Sequence, residues 1–194
     1  MIDKDLAESI LEYARGVLEA VVTGHPLPQV PDRLAASGLL QERMGAFSTL
    51  KMRGELRGCI GAFAGRSPLG EVLPRVVRES ALEDRRFPPV RAAELDRIEQ
   101  SISLLFPAVP VSSYREIVLG RDGVIITDGV RRAVFLPEVA PEQGWNVETM
   151  LTMLCRKAGL SDQSWMNESA RLEVFLTIHL SRTASGDVAI EGAL

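Results

Sequence analysis

Cys59 lies in the stretch of this 194-residue sequence whose residue types are best suited to chemistry. The run from Glu55 to Phe63 has the composition of a β-strand, and side chains alternate between the two faces of a strand. Arg57 and Cys59 are therefore predicted to share one face. A nearby cation favours the thiolate, which is the reactive form of cysteine. The spacing thus predicts an activated thiol at Cys59, unless Glu55 pairs with Arg57 and partly cancels its charge.

Gly58 and Gly61 flank this cysteine and weaken a strand, because glycine contributes no side-chain packing and carries extra backbone entropy. They predict a bulge, or a place where a ligand or another chain segment approaches the backbone. Two roles for Cys59 stay open, a functional thiol and a small apolar residue packed in a sheet. No general base is evident nearby in the sequence, and His179 is expected at the surface or half-buried on another strand. Packing at a helix end explains Cys155.

Two polar loops are further candidate sites. Asp84 and Arg86 precede a pair of prolines, and a stiff loop of this kind can present Arg86 to an anion, although a surface Asp–Arg pair is the simpler interpretation. Glu138 and Trp145 belong to a second polar loop with an aromatic anchor. Its acidic residues can equally serve to stabilise the start of a helix.

The elements that must position these residues follow the order helix, hairpin, helix, strand, hairpin, helix, strand. The first helix has apolar residues at helical spacing from Leu6 to Val21 and ends at Gly24. Arg53-Gly54 and Asp128-Gly129 mark two hairpin turns, the second by the stronger signal. Hairpins require antiparallel pairing, so the sequence predicts an α+β fold with a mainly antiparallel sheet and packed helices.

The composition limits the classes of function. Hydrophobic residues make up 46% and charged residues 25%, which is typical of a folded domain. A net charge of −4 disfavours nucleic acid as the main partner without excluding it. The absence of an export signal or a long apolar run predicts a cytoplasmic protein with no membrane partner. Two histidines and two cysteines without ligand spacing predict no metal site, and no cofactor is indicated.

Five segments form an ordered combination. In chain order they are Leu56-Arg57-Gly58-Cys59-Ile60-Gly61, Asp84-Arg85-Arg86-Phe87-Pro88, Leu136-Pro137-Glu138-Val139-Ala140, Glu142-Gln143-Gly144-Trp145, and Lys157-Ala158-Gly159-Leu160 with Trp165. Together they resemble the signature of the AMMECR domain family, and the resemblance extends from about Leu6 to Leu180. Arg85 stands where the family usually has proline. Asn146 stands where the family usually has aspartate, and asparagine can still cap a helix.

The resemblance implies an α+β fold of two unequal lobes, with the Cys59 strand near their junction. We expect one domain over residues 1–184, a smaller lobe at about 62–106, and a loose tail over residues 185–194. Bacterial and archaeal members are often called AmmeMemoRadiSam system protein A. This name implies, as partners, a Memo-like protein and a radical S-adenosylmethionine enzyme in a system that modifies proteins or nucleic acids.

Two functions are compatible with this resemblance. In the first, the chain is a cysteine-dependent enzyme component: Cys59 is the nucleophile or carrier, Arg57 holds the thiolate, and Asp84 lines the cleft. In the second, the chain is a non-catalytic module that presents the Cys59/Arg57 groove to a partner protein or a small anionic ligand. The residues expected to contact such a ligand are Arg86, Gly58, Gly61, Glu138 and Trp145.

Overall fold

The computed structural model describes residues 2–63, 65, 67–182 and 186–192 of the chain. These residues form two compact units, the first from residues up to 105 together with 178–192, and the second from residues 106–177. Each unit combines helices with antiparallel strands, which confirms the predicted α+β class.

Three helices belong to the first unit: α1 (Lys4–Thr23), α2 (Asp32–Ala36) and α3 (Leu69–Leu82). Helix α1 begins where the side chain of Asp3 accepts a hydrogen bond from the backbone N–H of Leu6 at 2.8 Å. It ends at Gly24, whose φ of 76° lies in the left-handed region that favours glycine. The end at Gly24 confirms the predicted boundary. The apolar stripe of α1 is buried, as its spacing predicts.

The sheet of the first unit has the strand order β2-β1-β3-β7, with β8 pairing with β7. Strand β2 therefore lies at an edge. The turn between β1 and β2 consists of Arg53 and Gly54, both at positive φ, which is the geometry of a tight hairpin turn. Helix α3 packs against β1 and β2, and Ser80 of α3 donates a buried hydrogen bond to Ser48 of β1. The strands are β1 (Gly45–Met52), β2 (Glu55–Ala62), β3 (Ile98–Leu105), β7 (Arg171–Arg182) and β8 (Val188–Glu191).

The second unit contains β4 (Val109–Pro110), β5 (Asp122–Asp128) and β6 (Arg131–Phe135), together with β7 up to Thr177. Strand β5 pairs with both β6 and β7, and β4 pairs with β7, all antiparallel. The predicted hairpin joins β5 to β6, but its turn residues are Gly129 and Val130, one position beyond the predicted Asp128-Gly129, because Asp128 still pairs with Arg131. Helices α4 (Val139–Glu142) and α5 (Val147–Lys157) complete the unit, and its apolar core lies between α5 and the strands. Short 3₁₀ turns occupy Leu39–Gln41, Ala92–Arg97, Tyr114–Glu116 and Ser164–Met166.

The C-terminal residues differ from the predicted loose tail. Strand β8 pairs with β7 in antiparallel register, with Leu180 opposite Ile190. Four residues are too few to show the alternation from which a strand is recognised in a sequence. Residues 185, 193 and 194 of the expected tail lie outside the described part of the chain. The division into units also differs from the smaller lobe expected at about 62–106, whose described residues up to 105 belong to the first unit.

In the part of the chain that the structure describes, no helix combines the length and the apolar character needed to cross a membrane.

Candidate functional site

A β-bulge at Arg57 sets the geometry of the strand that carries Cys59. Leu50 of β1 lies opposite Gly58, whereas the next residue, Lys51, lies opposite Leu56. Arg57 therefore has no partner on β1, as expected for the extra residue of a bulge. The bulge that the glycines predict is confirmed, but the simple alternation of faces is wrong: Leu56 is exposed, whereas Arg57 is only 8% exposed.

The guanidinium of Arg57 binds Glu94 rather than Glu55 or the thiol of Cys59. Its Nε donates to Glu94 Oε1 at 3.0 Å, and its terminal nitrogen donates to Glu94 Oε2 at 3.2 Å and to the carbonyl of Pro89 at 3.3 Å. Glu94 also accepts a hydrogen bond from the backbone N–H of Arg91 at 2.8 Å. Arg57 thus ties β2 to the segment that precedes β3. The geometry gives no support to its predicted role beside the thiolate.

Cys59 lies two residues beyond the bulged Arg57, in direct register with Thr49 of β1. Its side chain is half-buried, and Sγ lies 3.4 Å from Thr49 Oγ1, within hydrogen-bond distance for sulfur. The backbone N–H and C=O of Cys59 bond to the Asp84 loop instead of β1. The Cys59–Thr49 pair is therefore a non-hydrogen-bonded pair, the type in which cross-strand side chains approach most closely.

The Asp84–Arg86 pair holds the backbone of Cys59 at the free edge of β2. The N–H of Cys59 donates to Asp84 Oδ2 at 2.9 Å, and Arg86 donates to the Cys59 carbonyl at 2.9 Å. Arg86 also donates to both oxygens of Asp84, at 2.9 and 2.7 Å. Together the carboxylate and the guanidinium make the two hydrogen bonds that a neighbouring strand would make. We call this arrangement the edge clamp.

The electrostatics of the clamp follow from these contacts. Hydrogen bonds from Arg86, and then from the N–H of Cys59, hold the pKa of the Asp84 carboxyl well below its usual range, although burial opposes the shift. The same bonds raise the pKa of Arg86, and the nearby side chain of Cys59 adds to this effect. Arg57 likewise lowers the pKa of Glu94, with a further contribution from the backbone of Arg91. Asp84 is thus a fixed anion, a poor candidate for proton transfer.

Both glycines beside Cys59 are explained by close contacts within the chain. A Cβ added at Gly58 would lie 2.2 Å from the backbone oxygen of Ser80 in α3. A Cβ added at Gly61 would lie 2.2 Å from the ring of Phe47, its partner on β1. The sequence leaves open whether a ligand or another chain segment approaches the backbone at these glycines. The structure shows another chain segment at both positions.

A polar groove lies beside the Cys59–Thr49 pair on the sheet of the first unit. Its volume is about 280 Å³. His179, one of its walls, hydrogen-bonds through Nδ1 to Ser103 at 3.0 Å. Because β7 is three strands from β2, His179 lies roughly 14 Å from Cys59 at about 4.8 Å per strand, too far to act as its base. The groove is lined by Thr49, Lys51, Glu99, Gln100, Ser101, His179, Ser181 and Arg182.

Glu138 and Trp145 belong to the second unit. Glu138 is the exposed residue that precedes α4, and it makes no cap hydrogen bond with its side chain. The ring of Trp145 is half-buried and packs against Phe135, with 5.8 Å between ring centroids. Their predicted role as ligand contacts stays a prediction. Cys155 is fully buried in the core of this unit, as packing alone predicts, and burial raises the pKa of its thiol.

Two residues of the site escape sequence reasoning. Glu94 lies 37 positions from Arg57, and only its spacing from Arg91, typical of a helix-start carboxylate that bonds back to the chain, marks it. Thr49 could be found only by counting residues outward from the hairpin turn at Arg53-Gly54 along both strands. This count gives the wrong partner for Cys59 unless the extra residue of the bulge is included.

The fold and the site define an α+β protein in which a cysteine-bearing edge strand is held by an Asp–Arg loop. The model of the AMMECR1 family matches residues 11–180, and the chain belongs to this family. The matched range contains the bulge, the edge clamp and the groove residues up to His179.

Archaeal relatives resemble the chain over most of its length. Protein MJ0810 of Methanocaldococcus jannaschii is 37% identical over 175 residues, covering 85% of this chain and 84% of that protein. Protein PH0010 of Pyrococcus horikoshii is 37% identical over 185 residues, covering 90% and 88% respectively. The crystal structure of PH0010, described as an uncharacterized protein, superposes with a TM-score of 0.80 at 31% identity and 99% coverage of both chains.

Proposed function

We propose that the protein is a non-catalytic binding module that presents the Cys59 face of its first unit to a small anionic ligand. Its partners in this proposal are the Memo-like protein and the radical S-adenosylmethionine enzyme that the family resemblance implies. The observation that carries the proposal is the edge clamp. Two side chains and the strand backbone are committed to holding Cys59 in place, with its thiol half-exposed beside a polar groove.

The groove supports an anionic ligand through its charge and its hydroxyl groups. Lys51 and Arg182 are cations and Glu99 is an acid, so the lining carries one net positive charge when His179 is neutral. Arg182 also bonds to Glu8, whereas Lys51 lies opposite Glu99 on β3 without forming an ion pair with it among the described residues. The hydroxyls of Ser101 and Ser181 can donate hydrogen bonds to an oxyanion.

The surroundings of Cys59 favour binding over catalysis. Arg57, the cation predicted to activate the thiol, is bound to Glu94, and Asp84 is held as a fixed anion by Arg86. His179 lies three strands away. Nucleophilic catalysis by cysteine needs a base or an activating cation within reach. Among the described residues, the cation that contacts Cys59 is Arg86, through the backbone carbonyl.

Titration with inorganic phosphate, followed by backbone and side-chain NMR, tests the binding proposal. We expect saturable shifts at Thr49, Ser101 and Ser181, and roughly tenfold weaker binding in Lys51→Ala because the charge-assisted contact is lost. Glu99→Gln should bind more tightly, since it removes the opposing charge. Lys4→Ala, which removes an exposed lysine from α1, is the matched control and should bind like the natural chain. Equal affinity in Lys51→Ala and Lys4→Ala would contradict the proposal.

A second candidate function, a cysteine-dependent enzyme component, is favoured by one observation. The guanidinium of Arg86 donates a hydrogen bond to the backbone carbonyl of Cys59 at 2.9 Å, which brings a cation to the residue that carries the thiol. In this alternative, Arg86 takes the role that the sequence assigns to Arg57. The thiol of Cys59 is then the nucleophile or carrier.

The rate of alkylation of Cys59 by iodoacetamide against pH separates the two candidates, with Cys155→Ser as the background. The binding module predicts the same slow reaction at pH 7 in the background protein and in Arg86→Gln. The enzyme component predicts fast reaction at pH 7 that Arg86→Gln slows at least tenfold, whereas Arg57→Gln leaves it unchanged. Fast alkylation that depends on Arg86 would replace the first proposal by the second.

A further inference from the structure

The groove of the first unit contains an acid as well as a cation, although a site for a simple anion needs only the cation. Lys51 of β1 and Glu99 of β3 lie opposite each other in the antiparallel register, and both line the groove. Side chains at such positions have Cβ atoms about 4.5–5.5 Å apart, close enough for an ion pair. The described residues show no ion pair between Lys51 and Glu99, and no other charged partner for either. Both charges are therefore open to a ligand.

These two side chains require different partners. The ammonium group of Lys51 only donates hydrogen bonds and favours an anion, whereas the carboxylate of Glu99 only accepts them. Inorganic phosphate offers mainly acceptor oxygens at neutral pH, so it satisfies Lys51 and is repelled by Glu99. A ligand that satisfies both residues carries an oxyanion at one end and hydrogen-bond donors at the other.

The remaining walls of the groove favour a ligand with hydroxyl groups. Ser101 of β3 and Ser181 of β7 carry hydroxyls that both donate and accept, and the described residues show no hydrogen bond to either side chain. Arg182 is already bonded to Glu8 and to the carbonyl of Gly186. Among the described residues of the lining, none has a purely hydrocarbon side chain. An apolar ligand therefore finds no matching wall.

The groove is larger than a single phosphate group. Its volume of about 280 Å³ corresponds to roughly nine water molecules at about 30 Å³ each, and a phosphate displaces only a few of these. From Lys51 on β1, across β3, to Ser181 on β7, the groove spans two strand spacings. At about 4.8 Å per spacing this distance is roughly 10 Å. An extended pentose with a phosphate on its terminal carbon has a comparable length.

We infer that the anionic ligand of the function proposed above, on which this assignment rests, is a phosphorylated sugar. Its phosphate group is bound by Lys51, and its hydroxyls donate hydrogen bonds to the carboxylate of Glu99. Further sugar hydroxyls exchange hydrogen bonds with Ser101 and Ser181. An acidic side chain binds a ribose hydroxyl in the same way in dinucleotide-binding folds. A free sugar phosphate and the ribose phosphate of a nucleotide share this chemistry.

Isothermal titration calorimetry with ribose 5-phosphate and methyl phosphate separates the sugar from the phosphate group. Both probes are phosphate monoesters of equal charge, but methyl phosphate has no sugar hydroxyls. We expect ribose 5-phosphate to bind about tenfold more tightly, the ratio that one hydrogen bond to a charged group provides. Equal affinity for the two esters would overturn the sugar assignment and leave the anion site in place. No saturable binding of either ester or of inorganic phosphate would overturn both.

The variant Glu99→Gln has an effect whose sign depends on the ligand. Removal of the negative charge should strengthen the binding of methyl phosphate, whereas loss of the charged acceptor should weaken the binding of ribose 5-phosphate about three- to tenfold. Glu12→Gln, which removes an exposed acid from α1, is the matched control and should change neither affinity. A change of the same sign and size for both esters in Glu99→Gln would contradict the sugar assignment.

Two further probes identify the source of the ligand and test a different class. Tighter binding of adenosine 5′-monophosphate than of ribose 5-phosphate would support the proposal with a nucleotide as the source. Equal or weaker binding of the nucleotide would support it with a free sugar phosphate as the source. Serine, a zwitterion with both a donor and an oxyanion, should bind far more weakly than either. Serine that binds as tightly as ribose 5-phosphate would overturn the proposal.

Discussion

Two arginine–carboxylate pairs hold the strand of Cys59, and they differ in their access to water. The side chains of Arg57 and Glu94 are 10% and 16% exposed. In the edge clamp, the side chain of Asp84 is 6% exposed but that of Arg86 is 56% exposed. In the first pair both side chains are mostly buried. In the second pair the aspartate is buried and the arginine is mostly exposed.

This difference in exposure indicates that the Arg57–Glu94 pair has a structural role, whereas Arg86 of the edge clamp lies at the surface. A pair enclosed on both sides contributes fixed geometry, and removing one partner leaves the other charge in a poorly solvated place. A pair with one open member can exchange contacts with solvent or a ligand at low cost. Arg57 therefore serves the bulge, whereas Arg86 is available at the surface beside the thiol. Sequence spacing alone assigns the opposite importance to the two arginines.

The largest expected effect is that of Arg57→Gln. It leaves the mostly buried Glu94 without its cation and removes the hydrogen bonds that join β2 to the segment before β3. We expect a loss of about 3 kcal/mol in the free energy of unfolding, measured by urea denaturation. A loss below that of Arg86→Gln would reverse the comparison between the two pairs.

Gly58→Ala tests the bulge that carries Arg57. The new Cβ meets the backbone oxygen of Ser80, which cannot rotate away, so we expect a loss of about 2–3 kcal/mol. In the matched variant Gly61→Ala, the Cβ meets the side chain of Phe47, which is able to shift, and the expected loss is about 1–2 kcal/mol. Thermal unfolding of both variants gives the comparison. Equal losses would mean that α3 moves away from the bulge as readily as Phe47 moves.

Arg86→Gln should cost less, about 1 kcal/mol, because the guanidinium that covers Asp84 is more than half exposed, so that water can take its place against the carboxylate. The carboxylate of Asp84 keeps its bond from the Cys59 N–H. Hydrogen exchange at Cys59 should nevertheless accelerate, since the clamp loses one of its two members. Unchanged exchange there would show that Asp84 alone holds the edge.

The smallest expected effect, above pH 4, is the pH dependence that Asp84 gives to the free energy of unfolding. Because folding lowers the pKa of Asp84 below its value in the unfolded chain, about 3.9, the unfolded state binds the proton first as pH falls. The stabilisation is complete above that value and is lost as pH falls through the folded-state pKa. Urea denaturation at pH 7, 4 and 3 should show a shallower acid loss in Asp84→Asn than in the natural chain. Parallel slopes in the two proteins would contradict this assignment.

Local signals account for most of the fold. The end of α1 at Gly24 and the two hairpins that follow β1 and β5 depend on neighbouring residues, and the sequence predicts them, the second turn to within one position. Strand β8 was not, because four residues show little pattern and its pairing depends on β7. The division into two units depends on long-range contacts that no local signal reports.

The candidate site was predictable in its residues but only partly in its contacts. The loop of Asp84 and Arg86 was recognised, and the predicted Asp–Arg pair is present. Its bonds to the backbone of Cys59 span 25 and 27 positions, so no local spacing reveals them. The role predicted for Arg57 finds no support in the geometry, because Arg57 is the extra residue of a bulge and its guanidinium binds Glu94.

The edge clamp also affects how the protein behaves among copies of itself. An open edge strand offers its N–H and C=O groups as a template on which a strand of another chain can add. At Cys59 both groups are already engaged by an acid and a base from one short loop. A foreign strand would have to displace both at once in order to extend the sheet there. The two side chains that hold the cysteine in place thereby also oppose aggregation through this part of the edge.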